Sequence, residues 1–185
     1  MVKKSVTKGK IAKGRNKFYV TTPIYYPSAK PHIGSAYTTI AADILARWHI
    51  ISGEDVWFLT GTDEHGQKIE KAAKDKGKKT KEFVDELSLK FKETWNSLDV
   101  KPNRFIRTTD QDHESLVKDF IRRVWESGDI YKGKYEGHYC IDCEFFYPIK
   151  DLEEGMKCPI HKREAQFVSE ETYFFRLSKY KKKLI

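Results

Sequence analysis

Two short β-branched and aromatic runs, Lys17 to Thr22 (KFYVTT) and Asp55 to Thr60 (DVWFLT), flank one long helical pattern, and this spacing constrains the fold more than any other feature. Pro23 closes the first run. From about Ile33 the apolar residues Tyr37, Ile40, Ala41, Ile44, Leu45 and Trp48 recur at three- and four-residue steps until Ser52-Gly53 stops them. That stripe predicts an amphipathic helix. Antiparallel neighbours need only a tight turn, whereas a crossover of this length joins parallel strands, so the order predicts a right-handed βαβ unit.

The alternation continues. Gln67 to Lys76 reads as a short helix ended by Gly77, and Thr80 as the N-cap of a longer one with Phe83, Leu87, Phe91 and Trp95 on one face. Phe105 to Thr108 reads as a third strand, after which Asp110 caps a helix running through Leu116, Phe120, Val124 and Trp125 to Gly128. Strands alternating with helices indicate an α/β fold with a parallel sheet. From Ile130 the texture changes to closely spaced Gly, Tyr, Cys and Pro without a helical period. A boundary near Gly128 to Gly133 and a small strand-rich module after it are expected.

The 185 residues suit one domain, or one domain carrying a small insertion. No apolar run approaches the roughly 20 residues of a membrane-spanning helix, so no membrane partner is expected. Seven of the 35 basic residues fall in residues 1–17, which hold no Asp or Glu; the remainder balance at 28 basic against 27 acidic. The net charge of +8 therefore describes a tail, read as a solvated arm or as a contact to nucleic acid phosphates. Three cysteines cannot form a fully paired disulfide framework and no export signal is visible, which points to a reducing, cytoplasmic setting.

In an open parallel sheet, ligands bind beyond the carboxyl ends of the strands, where helix N-termini favour anions. Pro31-His32-Ile33-Gly34-Ser35 lies at such a junction. There His32 can donate to phosphate, Gly34 lets a nucleotide approach the backbone, and Ser35 adds a hydroxyl; the competing reading is a histidine that caps the helix structurally. The second strand ends in Thr60-Gly61-Thr62-Asp63-Glu64-His65-Gly66, close to the first loop if the strands are neighbours. Asp63 can hold a substrate ammonium and His65 can orient a hydroxyl or phosphate, against the simpler reading of a polar turn with Asp63 as N-cap.

Taken together, FYVTTPIYYPSAKPHIGSAYTTIAADILARW and FLTGTDEHGQKI resemble the opening of the methionyl-tRNA synthetases, class I enzymes with a Rossmann-like nucleotide-binding fold and a HIGH motif. The likeness runs through all but the basic tail. It implies an ATP site of the HIGH type at His32, Gly34 and Ser35, methionine contacts from Ile24 and Tyr26, and ammonium binding by Asp63. It also implies residues 18–130 as the first half of the catalytic domain and 131–185 as the start of an inserted zinc knuckle. The motif's last position is Ser35 rather than His, so the transition-state role rests on His32, with Ser35 as a helper.

Cys140-x2-Cys143, fourteen residues, then Cys158-x2-His161 is a spacing suited to a closed tetrahedral Zn²⁺ site, structural because four protein ligands leave no open position. His138 is a competing ligand outside the paired spacing. Phe145, Phe146 and Tyr147 read as the miniature core of such a module in preference to base-stacking residues.

The implied chemistry is attack of the methionine carboxylate on the α-phosphorus of ATP, which releases pyrophosphate and forms methionyl-adenylate with Mg²⁺ accompanying the nucleotide, then transfer of the methionyl group to the 2′ or 3′ hydroxyl of the terminal adenosine of tRNA(Met) with AMP as the leaving group. Alignment and well-placed donors suffice for both steps. The family's second catalytic half and its lysine-rich loop are expected after the insertion, whereas the sequence stops at Lys181-Lys182-Lys183-Leu184-Ile185. A truncated chain, a gene fragment, or a split enzyme completed by a second polypeptide follows as the expectation, with little adenylation by the chain alone. The alternatives are a synthetase for another apolar amino acid and a non-catalytic zinc-containing module that binds tRNA or a partner.

Overall fold

A computed structural model describes residues 15–185. The basic tail, apart from residues 15–17, lies outside the described residues. Two compact units divide the chain, the first comprising residues through Tyr25 with Lys30–Thr62 and Leu89–Ile106.

In the first unit β1 (Lys17–Thr21) runs parallel to β2 (Asp55–Thr62), with Lys17 opposite Asp55 and Thr21 opposite Leu59. The crossover between them is α1 (Ile33–Ile51), and β3 (Arg104–Arg107) flanks β2 to give the order β1-β2-β3. The expected α/β architecture with parallel neighbours is present, and the chain leaves β1 and β2 at the same end of the sheet. β2 extends past the predicted Thr60 because residue 61 is glycine: a Cβ there would stand 2.0 Å from the Ile106 carbonyl oxygen. At that end the buried hydroxyls of Thr22 and Thr60 meet at 2.6 Å.

The face that α1 buries differs from the sequence expectation. Ser35, Ala36, Thr39, Ala42, Asp43 and Ala46 are buried, whereas Tyr37, Ile44 and Trp48 are 76%, 60% and 60% exposed. Small side chains let the helix sit close to its neighbours, and Phe58, Phe91, Trp95 and Val100 fill the space around it. Asp43 is tolerated on that face because Arg47 pairs with it and the Lys101 N–H donates to it at 3.0 Å.

The second unit comprises Tyr26–Ala29, Asp63–Ser88 and Arg107–Ile185. Ile69 and Ala73 of α2 (Gln67–Asp75) pack with Phe83, Val84 and Leu87 from the first half of α3 (Thr80–Ser97). Asp110 occupies the N-cap of α4 (Gln111–Glu126), as expected, though its carboxylate accepts from the Arg107 N–H at 3.0 Å and makes no cap bond to the helix. Beyond it β4 (Ile130–Cys140) and β6 (Gln166–Phe175) form an antiparallel ribbon from Ile130 opposite Phe175 to Tyr139 opposite Gln166. β5 (Phe145–Tyr147) pairs with the far end of β4, Cys140 lying opposite Phe145. The base of the ribbon is tied by buried Asp129, which Lys179, Tyr180 and Ser127 all reach; the Lys179 hydrogen bond, then that of Tyr180, lowers its carboxyl to about 2.

Candidate functional site

His32 is the N-cap of α1, the helix that begins after β1. Its Nδ1 accepts from the Gly34 N–H at 3.1 Å. In return the Ser35 hydroxyl accepts from the His32 N–H at 3.1 Å and donates to the His32 carbonyl at 2.8 Å. A neutral imidazole that accepts at Nδ1 carries its proton on Nε2, so the remaining nitrogen of this exposed ring is a donor. The structural capping role and a donor role are thus compatible in one side chain, because each uses a different nitrogen.

Gly34 has a tighter purpose than the sequence suggests. A Cβ at Gly34 would stand 3.0 Å from Cε1 and 3.1 Å from Nδ1 of His32, so the glycine makes room for the histidine two residues before it. Ser35 is buried with its proton committed to the cap. Gly34→Ala is expected to push the ring off its cap bond and to cost about 1 kcal/mol of stability, the typical value of an N-cap. ¹⁵N shifts of the His32 ring should move from one tautomer towards a mixture, and an unchanged spectrum would contradict the contact.

The loop after β1 stays against β2: the Tyr25 N–H donates to the Gly61 carbonyl at 3.0 Å, and the Tyr25 hydroxyl reaches Thr39 at 2.8 Å. Ile24, beside it, is exposed. Tyr26 donates its hydroxyl to Glu144 at 2.9 Å. That hydrogen bond, reinforced by burial and by the charges of Glu144 and Asp63, pushes the phenol up to about 12, so Tyr26 stays a neutral donor.

Asp63 is half-buried and His65 exposed, with His65 Nε2 3.2 Å from the Thr108 carbonyl. Between them lies Glu64, whose side chain is fully buried. Arg107 forks onto it, Nε to Oε1 at 2.7 Å and Nη2 to Oε2 at 2.8 Å, while Thr109 donates to the same carboxylate and the Glu64 N–H donates to Thr108 Oγ1 at 2.8 Å. Glu64 and Asp85 hold the Arg107 guanidinium well above its ordinary pKa. Glu64 and Arg107 were invisible to sequence reasoning, for they lie 43 residues apart; the available signal was a carboxylate immediately after a buried strand.

The three cysteines and His161 converge. Their ligand atoms all lie within 4.8 Å of one another, with Cys143 Sγ 3.4 Å from Cys158 Sγ and 3.1 Å from His161 Nδ1, and Cys158 Sγ 4.0 Å from that nitrogen. A tetrahedron with Zn–S near 2.3 Å has edges of about 3.4–3.8 Å, so these separations bracket what the ion needs. Burial raises the Cys158 thiol, but the N–H groups of His161 and Ile160 and the hydrogen bonds of Cys143 and Tyr147 outweigh it and lower it to about 6. At Cys143 the Tyr147 hydrogen bond lowers the thiol, while burial and hydrogen bonds with Cys158 and Cys140 prevail and raise it to about 11. His138 points its Nδ1 at the Ala165 carbonyl, 3.3 Å away, and is not among the converging ligands. Phe146 packs on Tyr135 and Tyr139 and Tyr147 bonds Cys143, as a miniature core requires; Phe145 remains 55% exposed.

A family model described as tRNA synthetases class I (M) matches residues 18–169. The chain belongs to that family. Methionine–tRNA ligases of Thermotoga maritima and Caldanaerobacter subterraneus subsp. tengcongensis are 54% and 52% identical to it, over 91% and 92% of the chain. The chain spans about 27% of the length of these curated relatives. The solved structure of Mycobacterium tuberculosis methionyl-tRNA synthetase in complex with methionyl-adenylate superposes with a TM-score of 0.85 at 41% identity, covering 91% of this chain and 34% of that one.

In this class I synthetase chain the candidate residues divide between the units. Ile24, His32, Gly34 and Ser35 belong to the first, and Tyr26, Asp63, His65 and the Cys3His cluster to the second. Among the described residues no helix is long and apolar enough to cross a membrane.

Proposed function

We propose that this chain supplies the N-terminal part of a methionine–tRNA ligase, which activates methionine with ATP to methionyl-adenylate and transfers it to tRNA(Met) in the cytoplasm. The observation that carries the reading is the capping geometry of His32: a helix N-terminus following a parallel strand presents a histidine whose free nitrogen is a proton donor. Its family membership and its likeness to a synthetase bound to methionyl-adenylate support the same chemistry.

On this reading His32 donates from Nε2 to phosphate oxygens as charge accumulates on them, and Gly34 and Ser35 fix the ring that does so. Ser35, in the same ATP site, acts as a helper through its cap bonds to His32. Ile24 and Tyr26 are the methionine contacts, and the thioether must be recognised mostly by apolar shape because sulfur is a poor acceptor. Asp63 receives the substrate ammonium, and His65, braced at Thr108, orients a hydroxyl or phosphate. Mg²⁺ accompanies ATP. Cys140, Cys143, Cys158 and His161 would hold a structural Zn²⁺, which supplies cross-linking and no chemistry to the reaction. Residues 18–130 are assigned to the first half of the catalytic domain and 131–185 to the zinc-bearing insertion.

Methionine-dependent exchange of pyrophosphate into ATP, measured on the complete polypeptide that carries this chain, tests the proposal. His32→Ala should lower the exchange rate by about 10²–10³ without loss of fold, as for removal of one preorganised donor. Exchange that responds to another amino acid, or that ignores His32→Ala, would refute it. tRNA binding insensitive to both His32→Ala and Asp63→Ala would favour a non-catalytic module instead.

A further inference from the structure

Glu144 follows the second zinc-site cysteine, and its backbone occupies the left-handed region, φ 51°. Glycine or asparagine would meet that backbone requirement more cheaply, so the glutamate is there at some conformational cost. Its carboxylate does not turn inward to the cysteines. Oε2 accepts from the Tyr26 hydroxyl at 2.9 Å across 118 residues of sequence, and Oε1 lies 4.0 Å from where a Cβ of Gly66 would be, at the start of α2. One side chain of the cysteine loop therefore stands beside both segments to which the proposed function assigns amino-acid recognition: Tyr26, and the Asp63–Gly66 turn. A phenol held by a carboxylate is fixed in direction, and a carboxylate held by a metal-stapled loop is fixed in place.

We infer that Glu144 is a positioning residue that transmits the order of the metal-bound cysteine loop to Tyr26 and so sets the affinity for the amino-acid substrate. The inference rests on the function proposed above. Because the contact joins two sites, the coupling is reciprocal: loosening Tyr26 must also loosen the metal.

The test compares Glu144→Ala, Glu144→Gln, Tyr26→Phe and the Glu144→Ala/Tyr26→Phe double variant of the zinc-loaded complete polypeptide that carries this chain. Glu144→Ala is expected to raise the methionine KM in pyrophosphate exchange about tenfold, the scale of one lost hydrogen bond to a charged group, with kcat within about twofold and zinc content unchanged. Tyr26→Phe should raise it similarly, the double variant should be no worse than either single one, and Glu144→Gln, whose amide oxygen still accepts, should recover most of the loss. Tyr26→Phe should also release zinc to a chromogenic chelator several-fold faster than the wild type. A methionine KM within twofold of wild type in Glu144→Ala, additive effects in the double variant, or a fall in kcat that tracks lost zinc would overturn the inference. If the wild type shows no methionine-dependent exchange, the function itself has failed. Zinc release then decides the link, and equal rates for Tyr26→Phe and the wild type would dismiss it.

Discussion

Chelating the zinc proposed for the Cys140, Cys143, Cys158 and His161 cluster is expected to unfold the segment from about residue 138 to residue 166, including β5 and its pairing with β4, while the core around Phe58 and Trp95 stays protected. The reason is the poverty of the module's interior. Among the described residues after Asp129, only Cys140, Cys158 and Ala165 are buried, and two of these three belong to the Cys3His cluster. A segment so short of apolar burial cannot offset its conformational entropy alone, whereas a structural zinc site contributes about 10–16 kcal/mol of apparent binding free energy that exists only when the ligands are assembled. Replacing buried Cys158 with Ala should have the same effect, and adding zinc should not rescue it. Hydrogen exchange followed by mass spectrometry gives the readout, with one zinc per chain before chelation. Unchanged protection at residues 140–165 in the metal-free protein would mean that the aromatics alone hold the module.

That dependence was legible because ligand spacing is a local property. Two C-x2 pairs declare themselves whatever the rest of the chain does, and the strand–helix–strand order at residues 17–62 was equally readable from periodicity. Periodicity failed where it could not distinguish which side of a helix meets the sheet. The stripe of Tyr37, Ile44 and Trp48 in α1 is the obvious apolar face, yet the close approach is made by Ala36, Ala42 and Ala46, whose small size matters more than their hydropathy. At His32 the sequence posed capping and phosphate binding as rivals; the ring's two nitrogens allow both, which only atomic geometry reveals. The supports of the site were the least visible. Glu144 reaches Tyr26 and Arg107 reaches Glu64 across large sequence separations, and no pattern in either segment specifies its partner.

Arg107→Ala should destabilise the second unit by about 3–5 kcal/mol, because it leaves a fully buried carboxylate without its guanidinium and the desolvation of Glu64 is no longer compensated. Arg107→Lys should recover only part of this, since an ammonium cannot reproduce the two parallel bonds from Nε and Nη2 to Glu64 while a third reaches Asp85. The Glu64→Gln/Arg107→Ala double variant should be more stable than Arg107→Ala, the mark of a buried charge left behind in the single variant. Denaturant unfolding separates these outcomes, and a loss below about 1 kcal/mol for Arg107→Ala, the range of exposed ion pairs, would show that water reaches Glu64. The damage should extend to recognition. Glu64 lies between Asp63 and His65, and its N–H is bonded to Thr108, whose carbonyl meets His65; when the carboxylate moves, both neighbours lose their aim. In folded Arg107→Lys protein the methionine KM should therefore rise while zinc content stays at wild type, which separates this anchor from the one that Glu144 provides through the cysteine loop.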